Sequence, residues 1–185
     1  NYVIYLQPHT PHDPKYYTEG VSIALTERHR NSKRALDPNI KSGNYLNNVM
    51  AFTEGKKFNA YESVFINPQG QITECTTSNI FIVKGNEIIS PPDESDILRG
   101  ITRDILKDIC RENDIRLSFR HFNVQELVGA DEVFITSSTR EIMPVSVVNG
   151  QKRWSPGPVV DRLNTLYKKE ILKYLEWAKS HHPWK

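Results

Sequence analysis

Four short apolar segments separated by turn residues constrain the fold of this chain more than any other feature of its sequence. The segments span residues 63–66, 72–76, 79–83 and 87–90. Pro68-Gln69-Gly70 lies between the first two segments, and Lys84-Gly85-Asn86 lies between the last two. Turn-forming residues between short β-favouring runs predict hairpins. We therefore expect a sheet that contains antiparallel strand pairs.

Two longer segments have the apolar spacing of amphipathic helices. One opens after Gly100, and the other opens at Pro158 and continues to about Leu175. Shorter helices are predicted at residues 45–52 and 124–128, and further strands at 2–6, 21–26, 117–122, 132–136 and 145–148. With no repeat and no clear linker, residues 1–185 are expected to form a single domain of mixed α and β structure.

Composition excludes several classes of protein. The 185 residues are 38% apolar and 25% charged, which suits one ordinary globular core, and the net charge of +2 gives no strong field for nucleic acid. No segment is apolar enough to span a bilayer. Cys75 and Cys110 are too few for a disulfide framework and wrongly spaced for zinc, so we predict no metal site and a reducing, cytoplasmic setting.

Lys41 is the first candidate for covalent chemistry. It follows Asp37-Pro38 and precedes Ser42-Gly43, so it lies where the sequence predicts the start of a helix. Exclusion of water disfavours the ammonium form and makes a lysine amine nucleophilic. A solvated surface lysine is the alternative that this segment alone leaves open.

Three later segments carry polar groups that a phosphorylated aromatic cofactor needs. In residues 71–81, Glu74 precedes four small or polar residues, and a protonated ring nitrogen would be a suitable partner for a buried carboxylate. In residues 96–104, Gly100 opens a helix whose free N–H groups can bind phosphate. In residues 132–145, an apolar strand ends in four hydroxyl residues. Taken singly, these segments are equally typical of an exposed hairpin, an ordinary helix start and a hydroxyl-rich loop.

Together the four segments resemble one family, the pyridoxal-phosphate enzymes of fold type IV. This class IV group comprises branched-chain aminotransferases, D-amino-acid aminotransferases and aminodeoxychorismate lyases. The matching stretches are residues 40–48, 73–81, 98–103, 131–139 and 141–145. They occur in the family's order and at its approximate spacing, so the set is far more specific than any one of them. The resemblance implies the large domain of this fold, with sheets and flanking helices, and pyridoxal 5′-phosphate as cofactor.

The resemblance also implies roles for individual side chains. Lys41 would hold the cofactor through a Schiff base and later carry the substrate proton, and Glu74 would contact the pyridine nitrogen. Tyr45 would lie near the phenolic oxygen of the cofactor, with Arg34 as a weaker candidate at that edge. The residues expected to contact the ring face and the phosphate are Leu98, Gly100, Ile101, Thr102, Ser137, Ser138 and Thr139.

The activity implied is transfer of an amino group between an amino acid and a 2-oxo acid. Tyr45 resembles the branched-chain members, which are favoured, whereas the hydroxyl-rich stretch after Glu74 resembles the D-amino-acid and lyase members. The alternatives are therefore a D-amino-acid aminotransferase and a 4-amino-4-deoxychorismate lyase. An inactive module that keeps the scaffold is the non-enzyme alternative.

The chain also departs from the family pattern. The smaller N-terminal domain that covers the active site in the family has no counterpart in a sequence that begins at Asn1, so we expect a fragment of a longer two-domain chain. Cys75 stands where the family more often has glycine. The family further implies a homodimer that acts on small-molecule amino and 2-oxo acids, with no nucleic acid or membrane as partner.

Overall fold

A mixed β-sheet forms the centre of the computed structural model, which describes residues 2–181. Nine strands are present in these residues. They are β1 (Val21–Leu25), β2 (Glu62–Ile66), β3 (Ile72–Cys75), β4 (Asn79–Lys84), β5 (Glu87–Ser90), β6 (Arg116–Phe119), β7 (Glu132–Ser137), β8 (Glu141–Val148) and β9 (Gln151–Lys152). Their order across the sheet is β3-β2-β1-β8-β7-β4-β5-β6, and β9 pairs with β8.

Both parallel and antiparallel pairs occur in the sheet. The β2–β3, β4–β5 and β7–β8 pairs are antiparallel hairpins, and β4 also pairs antiparallel with β7. Strand β1 is parallel to both β2 and β8, and β5 is parallel to β6. Parallel neighbours require crossover connections, which the helices supply. The hairpins predicted from the turn residues between 63 and 90 are therefore confirmed within a mixed sheet.

Five helices flank the sheet in residues 2–181. They are α1 (Lys15–Thr18), α2 (Leu46–Gly55), α3 (Ile101–Glu112), α4 (Val124–Val128) and α5 (Pro158–His181), and a 3-10 turn follows α2 at Lys56–Phe58. Helices α3 and α5 contact each other and cover one face of the sheet. None of the helices in this range is long and apolar enough to cross a membrane.

Burial on both faces explains why the central strands are apolar without alternation. In β4, Ile80 and Ile82 belong to one hydrophobic cluster, while Phe81 and Val83 belong to the other, beneath α3 and α5. The ring of Phe81 stacks on that of Phe134 with centroids 4.8 Å apart. A strand covered on both sides has apolar residues at every position. The central strands are therefore packed on both faces, and the segments that follow them start from this core.

Some sequence expectations for the N-terminal third are wrong. Residues 2–6 are irregular and exposed rather than a strand, because alternation alone supplies no partner strand. Helix α2 forms as predicted, but Leu46 and Val49 on its apolar stripe are exposed, and the helix instead buries Asn48 and Ala51 against the sheet. The apolar spacing therefore identified the helix but not its buried face.

Candidate active site

A cavity of about 510 Å³ lies at one end of the sheet. Asn79 at the start of β4 pairs with Thr136 near the end of β7, so the β3–β4 turn and the β7–β8 turn meet at this end. The cavity is lined by ten of the eleven candidates named from the sequence, all except Arg34: Lys41, Tyr45, Glu74, Leu98, Gly100, Ile101, Thr102, Ser137, Ser138 and Thr139. The fold therefore brings together side chains that lie almost one hundred residues apart.

Lys41 lies in an irregular segment at the mouth of this cavity. Its Nζ donates a hydrogen bond to the Tyr45 hydroxyl at 3.1 Å, and both side chains are exposed. Helix α2 begins at Leu46, so Lys41 precedes the helix by a full turn instead of opening it. The expectation that this lysine is shielded from water is not met among residues 2–181, where its side chain is exposed.

Glu74, in contrast, is almost completely buried at the end of β3. One carboxylate oxygen accepts from Arg30 Nε at 2.7 Å, and the other accepts from the Leu98 backbone N–H at 2.9 Å. Burial raises the pKa of Glu74 to about 7, although the Arg30 charge and the Leu98 N–H oppose that rise. A carboxyl group with a pKa near neutral pH can lose its proton when a cationic group enters the cavity, because the cation favours the charged form.

Arg30 was not identified from the sequence, where Arg34 was the candidate at this edge. The Arg34 side chain is exposed and does not line the cavity, whereas Arg30 does. The cluster 28–34 contains several basic residues, and sequence alone gives no signal for which of them turns inward. Only the path of the loop across the end of β3 makes that choice.

The start of α3 offers backbone donors to the cavity. The first intrahelical bond runs from the Asp104 N–H to the Gly100 carbonyl, which leaves the preceding N–H groups of the helix without intrahelical acceptors. Asn79 Nδ2 donates to the Leu98 carbonyl at 2.9 Å and fixes this turn. A Cβ atom at Gly100 would overlap Asn79 Oδ1, so a larger residue would have to displace the Asn79 side chain.

The β7–β8 turn brings hydroxyl groups to the same place. Ser137 Oγ accepts from the Arg140 backbone N–H, and the Ser138 and Thr139 side chains are exposed at the cavity. Thr136 also lines the cavity, and its buried hydroxyl has no hydrogen-bond partner within residues 2–181. Buried polar groups are nearly always paired, so the Thr136 hydroxyl is an unusual free donor among the residues that line the cavity.

Glu62, which does not line the cavity, organises the hydroxyl-rich β3–β4 turn. Its carboxylate accepts hydrogen bonds from the hydroxyls of Thr76, Thr77 and Ser78 and from the Thr77 backbone N–H. Arg140 Nη1 lies 3.6 Å from the same carboxylate and donates to Thr77 Oγ1 at 2.7 Å. These hydroxyl protons are therefore directed away from the cavity. Sequence reasoning missed Glu62, which has no sequence signal beyond its place as the first residue of a strand.

Comparison with known proteins agrees with the geometry. A sequence profile described as amino-transferase class IV matches residues 1–148. A D-alanine aminotransferase of Bacillus licheniformis is 39% identical over 160 residues, which are 85% of this chain and 55% of that protein. The chain thus spans about half the length of the relatives it matches.

Solved structures also match most of the chain. The branched-chain aminotransferase of Thermoproteus uzoniensis with norvaline has a TM-score of 0.81 and 32% identity, covering 88% of this chain and 56% of that one. The branched-chain amino acid aminotransferase of Thermobaculum terrenum in its PLP form has a TM-score of 0.80 and 27% identity, covering 87% and 54%. The fold, the profile match and the shared sequence together show that this chain belongs to the class IV aminotransferase family.

Proposed function

We propose that this chain is the cofactor-binding part of a pyridoxal 5′-phosphate-dependent aminotransferase. The observation that carries the proposal is the meeting of an amine, a buried carboxylate and a free helix N-terminus around one cavity of about 510 Å³. When bound, the cofactor supplies an aldehyde that captures amino groups and a ring that accepts electrons from the α-carbon. The protein supplies the orientation and the charges.

The residues of the cavity suit such a group. The N–H groups at the start of α3 and the dipole of that helix favour an anion, and Thr136, whose hydroxyl is unpaired, lines the same cavity. Ser137, Ser138 and Thr139 add further donors. We assign the phosphate of the cofactor to this end, next to Ile101 and Thr102, and the ring to the space beside Leu98.

Three side chains have tasks in the proposed chemistry. Lys41 holds the cofactor through Nζ and, when released, takes the α-proton of the bound amino acid and returns it. The Tyr45 hydroxyl, 3.1 Å from Nζ, orients that amine. Glu74 balances the positive charge of a protonated ring nitrogen and thereby favours withdrawal of electrons from the α-carbon.

Cofactor binding gives the direct test. After incubation with pyridoxal 5′-phosphate and removal of the unbound cofactor, the protein should keep a visible absorption band. Borohydride reduction should remove that band and leave the mass of the reduced cofactor on the peptide that contains Lys41. A protein that is colourless once the unbound cofactor has been removed, or a label on another lysine, would contradict the proposal and favour an inactive module.

Substrate choice has two candidates, each with its own support. The structural match to branched-chain aminotransferases and the position of Tyr45 at the cavity support branched-chain amino acids. The 39% identity to a D-alanine aminotransferase supports D-amino acids. The loaded protein should be mixed with L-leucine and with D-alanine, and the absorbance change on amino transfer should be followed for each. Reaction with only one donor decides between them.

We also propose that the protein forms a homodimer. Leu46 and Val49 lie exposed on α2 next to the cavity, and their burial against a second copy would shield apolar surface. Light scattering coupled to size exclusion should give twice the monomer mass. A monomer at all concentrations tested would contradict this assignment.

A further inference from the structure

Arg30 and Glu74 form a buried ion pair at the base of the cavity. Arg30 Nε lies 2.7 Å from Glu74 Oε1, and their side chains are only 11% and 6% exposed. Buried pairs of this kind are expensive to form, because both charges lose their hydration. An ion pair of this kind that lines a cavity is therefore a candidate for a functional role as well as a structural one.

The Arg30 side chain is also held by contacts other than that with Glu74. Its Nη1 donates to Asn48 Oδ1 at 3.2 Å, and Asn48 Nδ2 donates to the Thr76 carbonyl at 2.6 Å. The guanidinium also lies 5.6 Å from the centre of the Phe65 ring. Asn48 belongs to α2 and Thr76 follows β3, so the arginine is fixed between the two elements that frame the cavity.

The carboxylate of Glu74 is oriented by contacts on both of its oxygens. Arg30 engages Oε1, and the Leu98 backbone N–H donates to Oε2 at 2.9 Å. Among the charged groups that act on Glu74, Arg30 stabilises the anion, while Glu62 on β2 opposes it. The charge of Glu62 is in turn engaged by Arg140 and three hydroxyl groups.

We propose that Arg30 is a positioning residue that keeps Glu74 as a carboxylate when a protonated ring nitrogen meets it. This inference rests on the proposed function, since it requires the cofactor ring beside Glu74. In a site with little water, a carboxylate and a pyridinium tend to exchange the proton and become a neutral pair. A cation 2.7 Å from the carboxylate favours the charged pair, because it contacts the anion directly.

Arg30→Met and Arg30→Gln separate charge from hydrogen bonding. Glutamine keeps an N–H donor for Glu74 without the positive charge, and it also serves if the methionine variant folds poorly. Arg28→Met is the matched control. Arg28 lies in the same loop as Arg30 and forms an ion pair with Glu54 of α2, but neither Arg28 nor Glu54 lines the cavity. Circular dichroism of each variant checks the fold.

The decisive measurement is the NMR chemical shift of the ring nitrogen in ¹⁵N-labelled pyridoxal 5′-phosphate bound to the protein. We expect the protonated chemical shift in the natural protein and in Arg28→Met, and a shift toward the unprotonated value in both Arg30 variants at pH 7.5. The affinity for the cofactor should fall by about tenfold or more in the Arg30 variants, in keeping with the effect of one adjacent charge on a carboxyl group.

The outcomes separate this inference from the proposed function. If the natural protein and Arg28→Met bind the cofactor and both Arg30 variants show the same nitrogen shift and affinity, the role of Arg30 is overturned while the proposed function stands. If Arg30→Gln behaves like the natural protein and only Arg30→Met changes, the hydrogen bond and not the charge is responsible, and the inference is again wrong. If the natural protein binds no cofactor, the proposed function fails and the inference falls with it.

Discussion

The two sides of the cavity are built in different ways. On the sheet side, Glu74, Thr76 and Thr102 are each less than 5% exposed and lie at the ends of buried strands or a packed helix. On the lysine side, Lys41 is exposed in an irregular segment. That segment is tied to the loop before α3 by the Lys33 N–H to Asp96 and by the Arg99 N–H to Asn39.

This difference separates preorganisation from reactivity. Groups that bind a ring and a phosphate must be held in place before the ligand arrives, and burial with full hydrogen bonding achieves this. An amine that forms and breaks a covalent bond has to change position during a reaction, and a loosely tied segment permits such movement. Substitutions on the sheet side should therefore mainly lower the free energy of unfolding. Substitutions on the lysine side should mainly reduce the covalent chemistry.

The largest expected effect is on covalent attachment and comes from the lysine side. Lys41→Ala should abolish the borohydride-fixed label completely, because it removes the amine, yet change the free energy of unfolding by less than about 0.5 kcal/mol, because the side chain is exposed. Mass spectrometry and urea unfolding measure the two quantities. Lys57→Ala, another exposed lysine, is the control and should leave the label intact. A label retained in Lys41→Ala would remove Lys41 from the site.

On the sheet side, loss of Glu62 should mainly reduce stability. Glu62→Ala leaves the hydroxyls of the β3–β4 turn and the Arg140 charge without their acceptor, so the free energy of unfolding should fall by about 3 to 5 kcal/mol. Asp108→Ala breaks an exposed ion pair with Arg111 and should cost less than about 1 kcal/mol. Equal losses in the two variants would show that the buried carboxylate does not organise the turn.

A methyl group at Gly100 should disturb the proposed phosphate end. Gly100→Ala would push against Asn79 Oδ1 and break the bond from Asn79 to the Leu98 carbonyl, which should cost about 1 to 3 kcal/mol of stability and weaken cofactor binding. Gly43→Ala is the matched control, since nothing lies within 4 Å of a Cβ atom there. If both variants bind the cofactor equally well, the turn before α3 does not position the phosphate.

The affinity for the cofactor should rise with pH through about pH 7. The pKa of Glu74 is raised to about 7 by burial, so below that pH the free protein carries a neutral acid and offers no charge to a protonated ring nitrogen. Above it the carboxylate is ionised and binding strengthens. The cofactor phosphate, with a second pKa near 6, also contributes. Glu74→Gln should remove the step near pH 7 in a fluorescence titration and keep the phosphate contribution.

The smallest expected effect concerns the unpaired Thr136 hydroxyl. Thr136→Val should leave the free energy of unfolding almost unchanged, because the hydroxyl has no partner within residues 2–181, but should weaken cofactor binding by about 1 kcal/mol. Ser90→Ala provides the reverse control, because Ser90 Oγ donates to the Ile80 carbonyl at 3.1 Å outside the cavity. That variant should lose stability and keep affinity. If Thr136→Val lowered stability and left the affinity for the cofactor unchanged, Thr136 would lie outside the binding site.

The sequence determined more about the sheet side than about the lysine side. The hairpins at 62–75 and 79–90 and the helix from Gly100 follow from turn residues and apolar spacing, which act over a few residues. Residues 2–6 show why such local signals can fail, since a strand also needs a neighbour that the local pattern does not specify. The buried face of α2 could not be predicted for the same reason, because it depends on which elements pack against the helix.

By itself, the sequence determined the types of chemical group and the segments that carry them, because helix starts, turns and strand patterns depend on nearest neighbours. Only the tertiary structure decided that Arg30, not Arg34, meets Glu74, and that Glu62 draws the hydroxyls of the β3–β4 turn away from the cavity. These pairings join residues 14 to 44 positions apart, and they follow from the order of strands in the sheet and the path of one loop. No pattern of adjacent residues encodes such distances.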